Sequence, residues 1–148
     1  MSPNITCPVL QFIDVATLRH IEGFSPRRVA WLAKKIQSEG KWTKPVVVDR
    51  DYHLVMDGQH RMEVARALSL LAIPALVFDY EDVQVWSLRP RSYQVSCQEI
   101  RSRALSGQIY PYKTAKHRFP CGELPVLELP LRELSTAALI GKSLYPPY

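Results

Sequence analysis

The stretch LVMDGQHRMEVARAL, residues 54–68, combines residue types that suit the binding of an anion. An apolar run ends in Asp57 and Gly58, and the pattern then becomes helical. The first turn of a helix leaves backbone N–H groups without partners and carries partial positive charge, so a strand that runs into a helix creates a phosphate site. Gly58 lets a ligand approach the backbone, while His60 and Arg61 add donors.

Asp57 is unusual beside a phosphate, because two negative charges repel each other unless something lies between them. A magnesium ion, a substrate hydroxyl or an ammonium group would fill that place. The alternative is that Asp57 only caps the helix, with His60 and Arg61 in surface contacts. Spacing alone favours neither interpretation, because short motifs often match by chance.

The segments around this stretch predict a mixture of helices and strands. The clearest helix is SPRRVAWLAKKIQSEG, in which Ser25 suits the N-cap, Pro26 the first position and Gly40 the end, with the basic residues on a solvated face. Strands are predicted over 10–13, 46–48 and 53–56 and within 73–80 and 83–88, and further helices over 61–70 and within 96–107 and 133–141. Segment 110–120 has too many interruptions for a regular element. The tryptophans Trp31, Trp42 and Trp86 are interpreted as core or rim residues rather than ligand platforms.

The composition is that of a soluble globular protein with one modest core, of the α/β or α+β class. The formal net charge of +5 over 148 residues suits anionic partners such as nucleotides, phosphates or nucleic acid. No apolar run reaches the roughly 20 residues of a membrane helix, and MSPNITCPVLQF lacks the features of a signal peptide, so a cytoplasmic location is expected. The scattered cysteines favour reduced thiols over a disulfide framework or a zinc site.

The box VMDGQHRMEVARAL resembles the D-G-H-H-R box of the ParB/sulfiredoxin-like superfamily, and within it the free-serine kinases most closely. The pieces LRHIEGFSPRRV, GKWTKPVVV, LAIPALVFDYEDVQVWSL and YPYKTAKHRFP resemble further segments of that family in the same order. Together they extend over roughly Val9 to Leu134. The resemblance implies a single α+β domain over residues 1–148, with a small mixed sheet, flanking helices and no second domain.

The resemblance also implies an activity. These kinases use magnesium and transfer a phosphoryl group from ATP or ADP to the hydroxyl of free L-serine, which gives O-phospho-L-serine. The implied partners are therefore L-serine and an adenine nucleotide, without a membrane. Neither the choice between ATP and ADP nor the oligomeric state follows from the sequence, and serine itself is inherited from the resemblance.

Several residues match the family's functional positions. Glu22 matches the catalytic glutamate that would accept the hydroxyl proton, Asp57 would orient the hydroxyl or hold magnesium, and His60 is a further catalytic residue. The implied set for nucleotide and phosphate binding is Gly58, Gln59, His60, Arg61, Lys113, Thr114, Lys116 and His117. Lys44 and Trp86 are weaker candidates for substrate binding. Without the resemblance, a solvated loop carboxylate is the better interpretation of Glu22. A solvated basic turn explains residues 113–117 equally well, and Lys44 could equally be a surface lysine.

The chain departs from the kinases at several points. Gln59 replaces the first histidine of the box, and Lys116 stands where an arginine is usual, which keeps the charge but loses the bidentate fork. Trp86 lies two positions before the place of a tryptophan near the substrate, and Leu88 occupies that place. About twenty residues stand where the larger enzymes have an extra lobe of roughly a hundred. The resemblance therefore supports a phosphate pocket more strongly than a serine pocket.

Other members of the superfamily fit less well. Sulfiredoxin needs a cysteine where Gln59 stands, so its sulfinic-acid chemistry has no nucleophile here. Partition proteins add a helix-turn-helix domain, and no recognition helix is evident in this chain. The alternative function is a nucleotide-binding regulator or DNA-binding protein without turnover, and a third is a degenerate module that supports a partner protein. Glu22 together with Asp57 favours chemistry, because a pure phosphate binder gains little from two acids.

Overall fold

The structure is a computed structural model that describes residues 10–144. Within this range the chain forms three α-helices and eight β-strands. The helices are α1 (Pro26–Glu39), α2 (Gln59–Ala67) and α3 (Cys97–Ser106). The strands are β1 (Leu10–Asp14), β2 (Lys41–Trp42), β3 (Val46–Asp49), β4 (Val55–Asp57), β5 (Ala72–Phe78), β6 (Gln84–Ser87), β7 (Ala115–Arg118) and β8 (Leu129–Pro130).

A four-stranded mixed sheet forms the centre of the fold, in the order β1-β5-β3-β4. The outer strands β1 and β4 are antiparallel to their neighbours, whereas the central β3 and β5 are parallel to each other. Every residue of β3 and β5 is buried, because apolar groups cover both faces of the sheet. Val46 and Val48 join one apolar cluster and Val47 the other, as the alternation of a strand requires. The predicted α+β fold with a small mixed sheet and flanking helices is confirmed.

Helix α1 begins and ends where its local sequence predicts. The hydroxyl of Ser25 accepts a 3.2 Å hydrogen bond from the backbone N–H of Arg28, and Pro26 occupies the first helical position. Gly40 ends the helix with φ of +71°, in the left-handed conformation that glycine adopts without strain. Its half-buried apolar residues Val29 and Leu32 pack against the cluster that contains α2.

Two predicted helices have different bounds in the structure. The second helix begins at Gln59 rather than Arg61, because Gly58 is its N-cap and follows β4 directly. It ends at Ala67 rather than Leu70, with Leu68 as its C-cap. The expected helix within 133–141 is wrong, since this region forms two short 3-10 turns at Leu131–Ser135 and Ala137–Leu139. The interrupting Thr136 is extended and separates the two turns.

Strands β6 and β7 form an antiparallel pair outside the central sheet, in which Trp86 lies opposite Lys116. The expectation that segment 110–120 is irregular is therefore wrong. Its strand depends on hydrogen bonds to residues 84–87, which no local pattern of side chains reveals. Strands β2 and β8 form a second short pair.

None of the helices in residues 10–144 is long and apolar enough to cross a membrane. Residues 1–9, on which the expectation of a cytoplasmic location depends, lie outside the described residues, as do residues 145–148. The predicted start of the family resemblance at Val9 also lies there.

Candidate active site

A cavity of about 490 Å³ lies where β4 passes into α2. Three parts of the chain that are distant in sequence form its walls: the turn between β4 and α2, helix α1, and the segment around β7. The predicted site residues that line it are Glu22, Lys44, Asp57, Gly58, Gln59, His60, Arg61, Lys113 and Lys116. Thr114, His117 and Trp86 are not among the lining residues.

Gly58 is required by the packing beneath the turn. Its φ is +110°, and a Cβ at this position would lie 2.7 Å from Cγ1 of Val46. Its carbonyl accepts a 2.8 Å hydrogen bond from the N–H of Met62, while no side chain among the described residues caps the helix. The N–H groups of the first turn therefore remain available to an anion. This geometry contradicts the alternative in which Asp57 caps α2.

Gln59 is buried and joins α2 to the segment before α1. Its Nε2 donates a 2.5 Å hydrogen bond to the carbonyl of Val55, and its Oε1 lies 2.6 Å from Nδ1 of His20. The other ring nitrogen of His20 lies 2.5 Å from a carboxylate oxygen of Glu63. Both ring nitrogens face acceptors, so the ring satisfies both when each nitrogen carries a proton. This network fixes the segment that carries Glu22 against α2.

His60 links the beginnings of the two helices. Its Nε2 accepts a 3.0 Å hydrogen bond from the backbone N–H of Ser25, which leaves Nδ1 as the donor of a neutral ring. Burial lowers the pKa of His60, and the nearby charge of Arg28 lowers it further. The lowered pKa favours a neutral ring, which offers a hydrogen-bond donor at the cavity rather than a fixed positive charge.

The carboxylate of Glu22 is held by the backbone of the segment that enters β7. Its Oε1 accepts hydrogen bonds from the N–H groups of Ala115 at 2.9 Å and Thr114 at 3.3 Å, and its Oε2 accepts one from Lys113 at 3.3 Å. Burial raises the pKa of Glu22, although these donors and the charge of Arg89 act in the opposite direction. A carboxylate with a raised pKa and a fixed orientation is suited to accept a proton.

Arg89 supports the same segment and was not singled out by its sequence. Its Nη2 donates a 2.8 Å hydrogen bond to the carbonyl of Tyr112, and its Nε lies 3.4 Å from that of Lys113. The N–H of Leu88 bonds to the carbonyl of Thr114 at 2.8 Å. These contacts set the backbone whose N–H groups orient Glu22. A lone arginine after a strand gives no sequence signal for such a role.

Residues 113–117, predicted to bind phosphate, lie partly in the cavity wall and partly in the protein interior. Lys113 and Lys116 line the cavity, whereas Thr114 is fully buried and its hydroxyl donates to the carbonyl of Pro111 at 2.7 Å. His117 also points away, because neighbouring residues of a strand face opposite sides. Its Nε2 lies 2.8 Å from the hydroxyl of Tyr80, and burial lowers the pKa of His117 to about 4. A phosphate-binding role for the side chains of Thr114 and His117 has no support in this geometry.

Lys44 and Trp86, the two weaker candidates for substrate binding, lie in different positions relative to the cavity. Lys44 is exposed and lines the cavity. Trp86 is 42% exposed on β6 and does not line it, whereas Leu88, two residues later, does. The structure thus brings Lys44 to the site and leaves Trp86 outside it.

Helix α1 contributes four residues to the cavity, of which the sequence pattern assigns the basic Arg28 and Lys35 to a solvated face. Arg28, Trp31, Leu32 and Lys35 all line the cavity. Their spacing of three and four places them on one face of the helix. The pattern predicts the exposure of the charged residues correctly, but it does not show that a second wall stands opposite them.

The cavity holds more positive than negative charge. Its ionisable lining residues, besides histidine, are the basic Arg28, Lys35, Lys44, Arg61, Lys113 and Lys116 and the acidic Glu22 and Asp57. This excess suits a polyanion. Among residues 10–144 no group of three His, Cys, Asp or Glu side chains forms a metal cluster. Magnesium held by one or two carboxylates and by phosphate oxygens does not require such a cluster, so the exposed carboxylate of Asp57 fits its chemistry.

Comparison with known proteins gives relatives in sequence and in structure. An ATP-dependent L-serine kinase from Staphylothermus marinus is 39% identical over 82 residues, which cover 53% of this chain and 32% of that protein. An ATP-dependent L-serine kinase from Desulfurococcus mucosus is 35% identical over 89 residues, which cover 56% of this chain and 34% of that protein. The chain thus spans about a third of the length of these curated relatives. No family model matches the chain.

Solved structures share the architecture at low sequence identity. A free serine kinase in complex with AMP has a TM-score of 0.75 at 13% identity, with 89% of this chain and 98% of that chain covered. This chain has the fold of the free serine kinases. Truncated SbnI from Staphylococcus aureus also has a TM-score of 0.75, at 14% identity, with 86% and 90% covered. The predicted resemblance to the free serine kinases is confirmed, and the roles of individual residues remain predictions.

Proposed function

We propose that the described residues form the catalytic domain of a free L-serine kinase. It transfers the terminal phosphoryl group of an adenine nucleotide, ATP or ADP, to the serine hydroxyl. One observation carries this proposal. Glu22, Asp57 and the uncapped start of α2 line the same cavity, which has an excess of basic side chains. The sequence relatives support it, since both are ATP-dependent L-serine kinases.

The phosphates would lie over the turn from Gly58 to Arg61. The free N–H groups of the first helical turn bind phosphate oxygens, and the guanidinium of Arg61 adds a bidentate contact. Lys113 and Lys116 approach from the segment around β7. His60 donates through Nδ1, because its Nε2 is occupied by the N–H of Ser25.

Glu22 would act as the general base. In the transfer, the serine hydroxyl oxygen forms a bond to the terminal phosphorus, and the bond from that phosphorus to the bridging oxygen of the nucleotide breaks. The hydroxyl proton passes to the carboxylate of Glu22. Phosphoryl transfer depends mainly on positioning and on charge stabilisation, so the backbone donors that fix Glu22 matter as much as its basicity.

Asp57 is the proposed magnesium ligand. It lies at the end of β4 and is exposed to the cavity. Bound magnesium would neutralise charge on the phosphate oxygens during the reaction. Asp57 would otherwise orient the serine hydroxyl or its ammonium group.

A nucleotide-binding regulator without turnover remains the second candidate, and the basic cavity favours it as well. Such a protein would use the Gly58–Arg61 turn and the lysines, but it has no need of an oriented carboxylate beside them. The arrangement of Glu22 therefore favours catalysis over binding alone.

Phosphorus NMR tests the proposal. Purified protein is incubated with magnesium and L-serine, and with ATP or ADP in separate tubes. We expect a new phosphomonoester signal with one donor, its loss when serine is omitted, and its loss in Glu22→Gln. Glu133→Gln, which changes an exposed glutamate that does not line the cavity, serves as the matched control and should behave like the wild type.

Absence of the phosphomonoester signal with both donors would overturn the kinase proposal. Nucleotide binding without a signal would instead support the regulator. A signal that persists at the wild-type rate in Glu22→Gln would contradict the role of this residue as the base, while the kinase activity would stand.

A further inference from the structure

The cavity-facing surface of α1 carries a large aromatic side chain that the core does not use. Trp31 is 60% exposed, and the Nζ of Lys35 lies 5.6 Å from the centre of its ring. Leu32, beside it, lines the same cavity. An exposed indole in a cavity with positive charge is a surface on which a flat, anion-linked ring can stack.

The wall around β7 and the wall formed by α1 contact different parts of the site. Glu22 is held by the backbone of residues 113–115, and the charged side chain that acts on its pKa, after burial and those hydrogen bonds, is Arg89. Arg28 of α1 acts instead on the pKa values of His60 and Arg61, for which burial is the first cause. Hydrogen bonds give the same division: Glu22 is bonded to the backbone of residues 113–115 at the wall around β7. The start of α1 adjoins the phosphate-binding turn instead, through the 3.0 Å bond from the N–H of Ser25 to His60.

In-line phosphoryl transfer then sets the direction of the nucleotide. The attacking and leaving oxygens lie on opposite sides of the transferred phosphorus. If the serine hydroxyl is next to Glu22, the remainder of the donor must extend away from Glu22. A donor whose phosphates lie over the Gly58–Arg61 turn can extend toward α1, because α1 packs beside α2 and Ser25 is bonded to His60.

The apolar lining residues divide in the same way. Leu88 and Ala115 lie on the wall around β7, where their backbones contact Thr114 and Glu22. Met56, which precedes Asp57 in β4, is buried. Among the described lining residues this leaves Trp31 and Leu32 as the apolar surface on the opposite side.

We propose that Trp31 is the platform on which the nucleotide base stacks, with Leu32 beside it, so that α1 binds the base while the Gly58–Arg61 turn binds the phosphates. This inference rests on the proposed function. It assigns a binding role to a residue that the sequence alone indicates to be a core or rim residue rather than a ligand platform. A base that stacks on one indole is recognised by its flat surface, so purine rings with different edges should bind with similar strength.

Calorimetric titration tests the platform with ADP and, separately, with inorganic tripolyphosphate, which has no base. Trp31→Ala should weaken ADP binding about 5- to 150-fold, the range that corresponds to the loss of one stacked base. Trp31→Phe keeps a ring and should recover most of the affinity. Tyr52→Ala removes an exposed aromatic side chain outside the cavity and should leave ADP binding unchanged. Tripolyphosphate should bind equally to the wild type and Trp31→Ala.

Other outcomes would overturn the platform in distinguishable ways. Unchanged ADP affinity in Trp31→Ala would remove the role of Trp31, while wild-type binding and turnover would leave the kinase proposal standing. Equal weakening of ADP and tripolyphosphate would show that Trp31 acts on the phosphates or on the fold. A wild-type protein that binds tripolyphosphate but not ADP would exclude both the platform and the use of an adenine nucleotide.

Discussion

The carboxylate of Glu22 and the backbone N–H of Ala115 are joined by a 2.9 Å hydrogen bond across 93 positions of the sequence. Two weaker bonds, from Lys113 and Thr114, complete a set of three backbone donors around one side chain. Burial nevertheless raises the pKa of Glu22, so its negative charge is less stable in the folded protein than in water. The site holds a charged group at a cost in stability.

This relationship predicts opposite effects of Glu22→Gln on stability and on turnover. The amide keeps an oxygen for Ala115 and Thr114, loses only the long 3.3 Å bond from Lys113 and carries no charge, so we expect a higher melting temperature than the wild type at pH 7. Turnover should fall by at least about 100-fold, the usual contribution of a general base. Thermal unfolding and a coupled kinase assay measure the two effects, and a lower melting temperature would contradict the assigned burial of charge.

The activity of the wild type should rise with pH through the pKa of Glu22. Because that pKa lies above the ordinary value of 4.5, the rise should be centred above pH 4.5. The contribution of Glu22 to the free energy of unfolding changes with pH in the opposite direction, because a raised folded-state pKa favours the protonated form. This contribution is full below pH 4.5 and is lost as pH rises through the folded-state pKa. The initial rate against pH should show the rising limb in the wild type, and residual activity of Glu22→Gln should lack it.

Local signals predicted the parts of the fold that depend on neighbouring residues. Helix α1 was predictable because Ser25, Pro26 and Gly40 act within one turn of its ends. Strand β7 was not, because its partners lie in β6. The alternation of that strand then separates Lys116 from His117, so a basic loop that looks continuous in sequence divides between the cavity and the core.

The part of the candidate site that lies in one continuous motif was predictable from the sequence. Asp57 to Arg61 follow one another, and their placement at the start of a helix is a local property. The sequence indicates a core or rim position for Trp31, but the residue is 60% exposed and lines the cavity, because a residue on a helix has the same pattern whether it faces water or a cavity. Only the packing of α1 beside α2 distinguishes the two cases.

Gly58→Ala should strongly destabilise the protein. The new Cβ would lie 2.7 Å from Cγ1 of Val46, at a φ of +110° that side chains disfavour. Overpacking and strain together predict a loss of roughly 3 kcal/mol in the free energy of unfolding. Gly40→Ala is the matched control, because it also has a positive φ but no atom within 4 Å of the added Cβ, so its loss should be about 1 kcal/mol. Urea unfolding measures both, and equal losses would exclude the Val46 contact as the cause.

Gln59→Leu should destabilise the fold and reduce turnover indirectly. The substitution leaves the carbonyl of Val55 and the Nδ1–H of His20 without their partner, at roughly 1–3 kcal/mol for each group. Because His20 is two residues from Glu22, kcat should fall more than the affinity for nucleotide. Exposed Gln84 provides the comparison, since Gln84→Leu removes no buried hydrogen bond. A loss confined to nucleotide affinity would make Gln59 a direct ligand rather than a positioning residue.

His117 should make the protein sensitive to acid. Burial lowers its pKa from the ordinary 6.5 to about 4, so the folded state binds fewer protons than the unfolded chain between these values. The neutral ring of His117 contributes roughly 3 kcal/mol to the free energy of unfolding. This contribution is present above pH 6.5 and is lost as pH falls through about 4. His117→Gln keeps a neutral group that can accept from the hydroxyl of Tyr80 and removes the titration. Urea unfolding at pH 7 and pH 4 should therefore show a smaller loss of stability in the variant than in the wild type, and parallel losses would place the acid sensitivity in other groups.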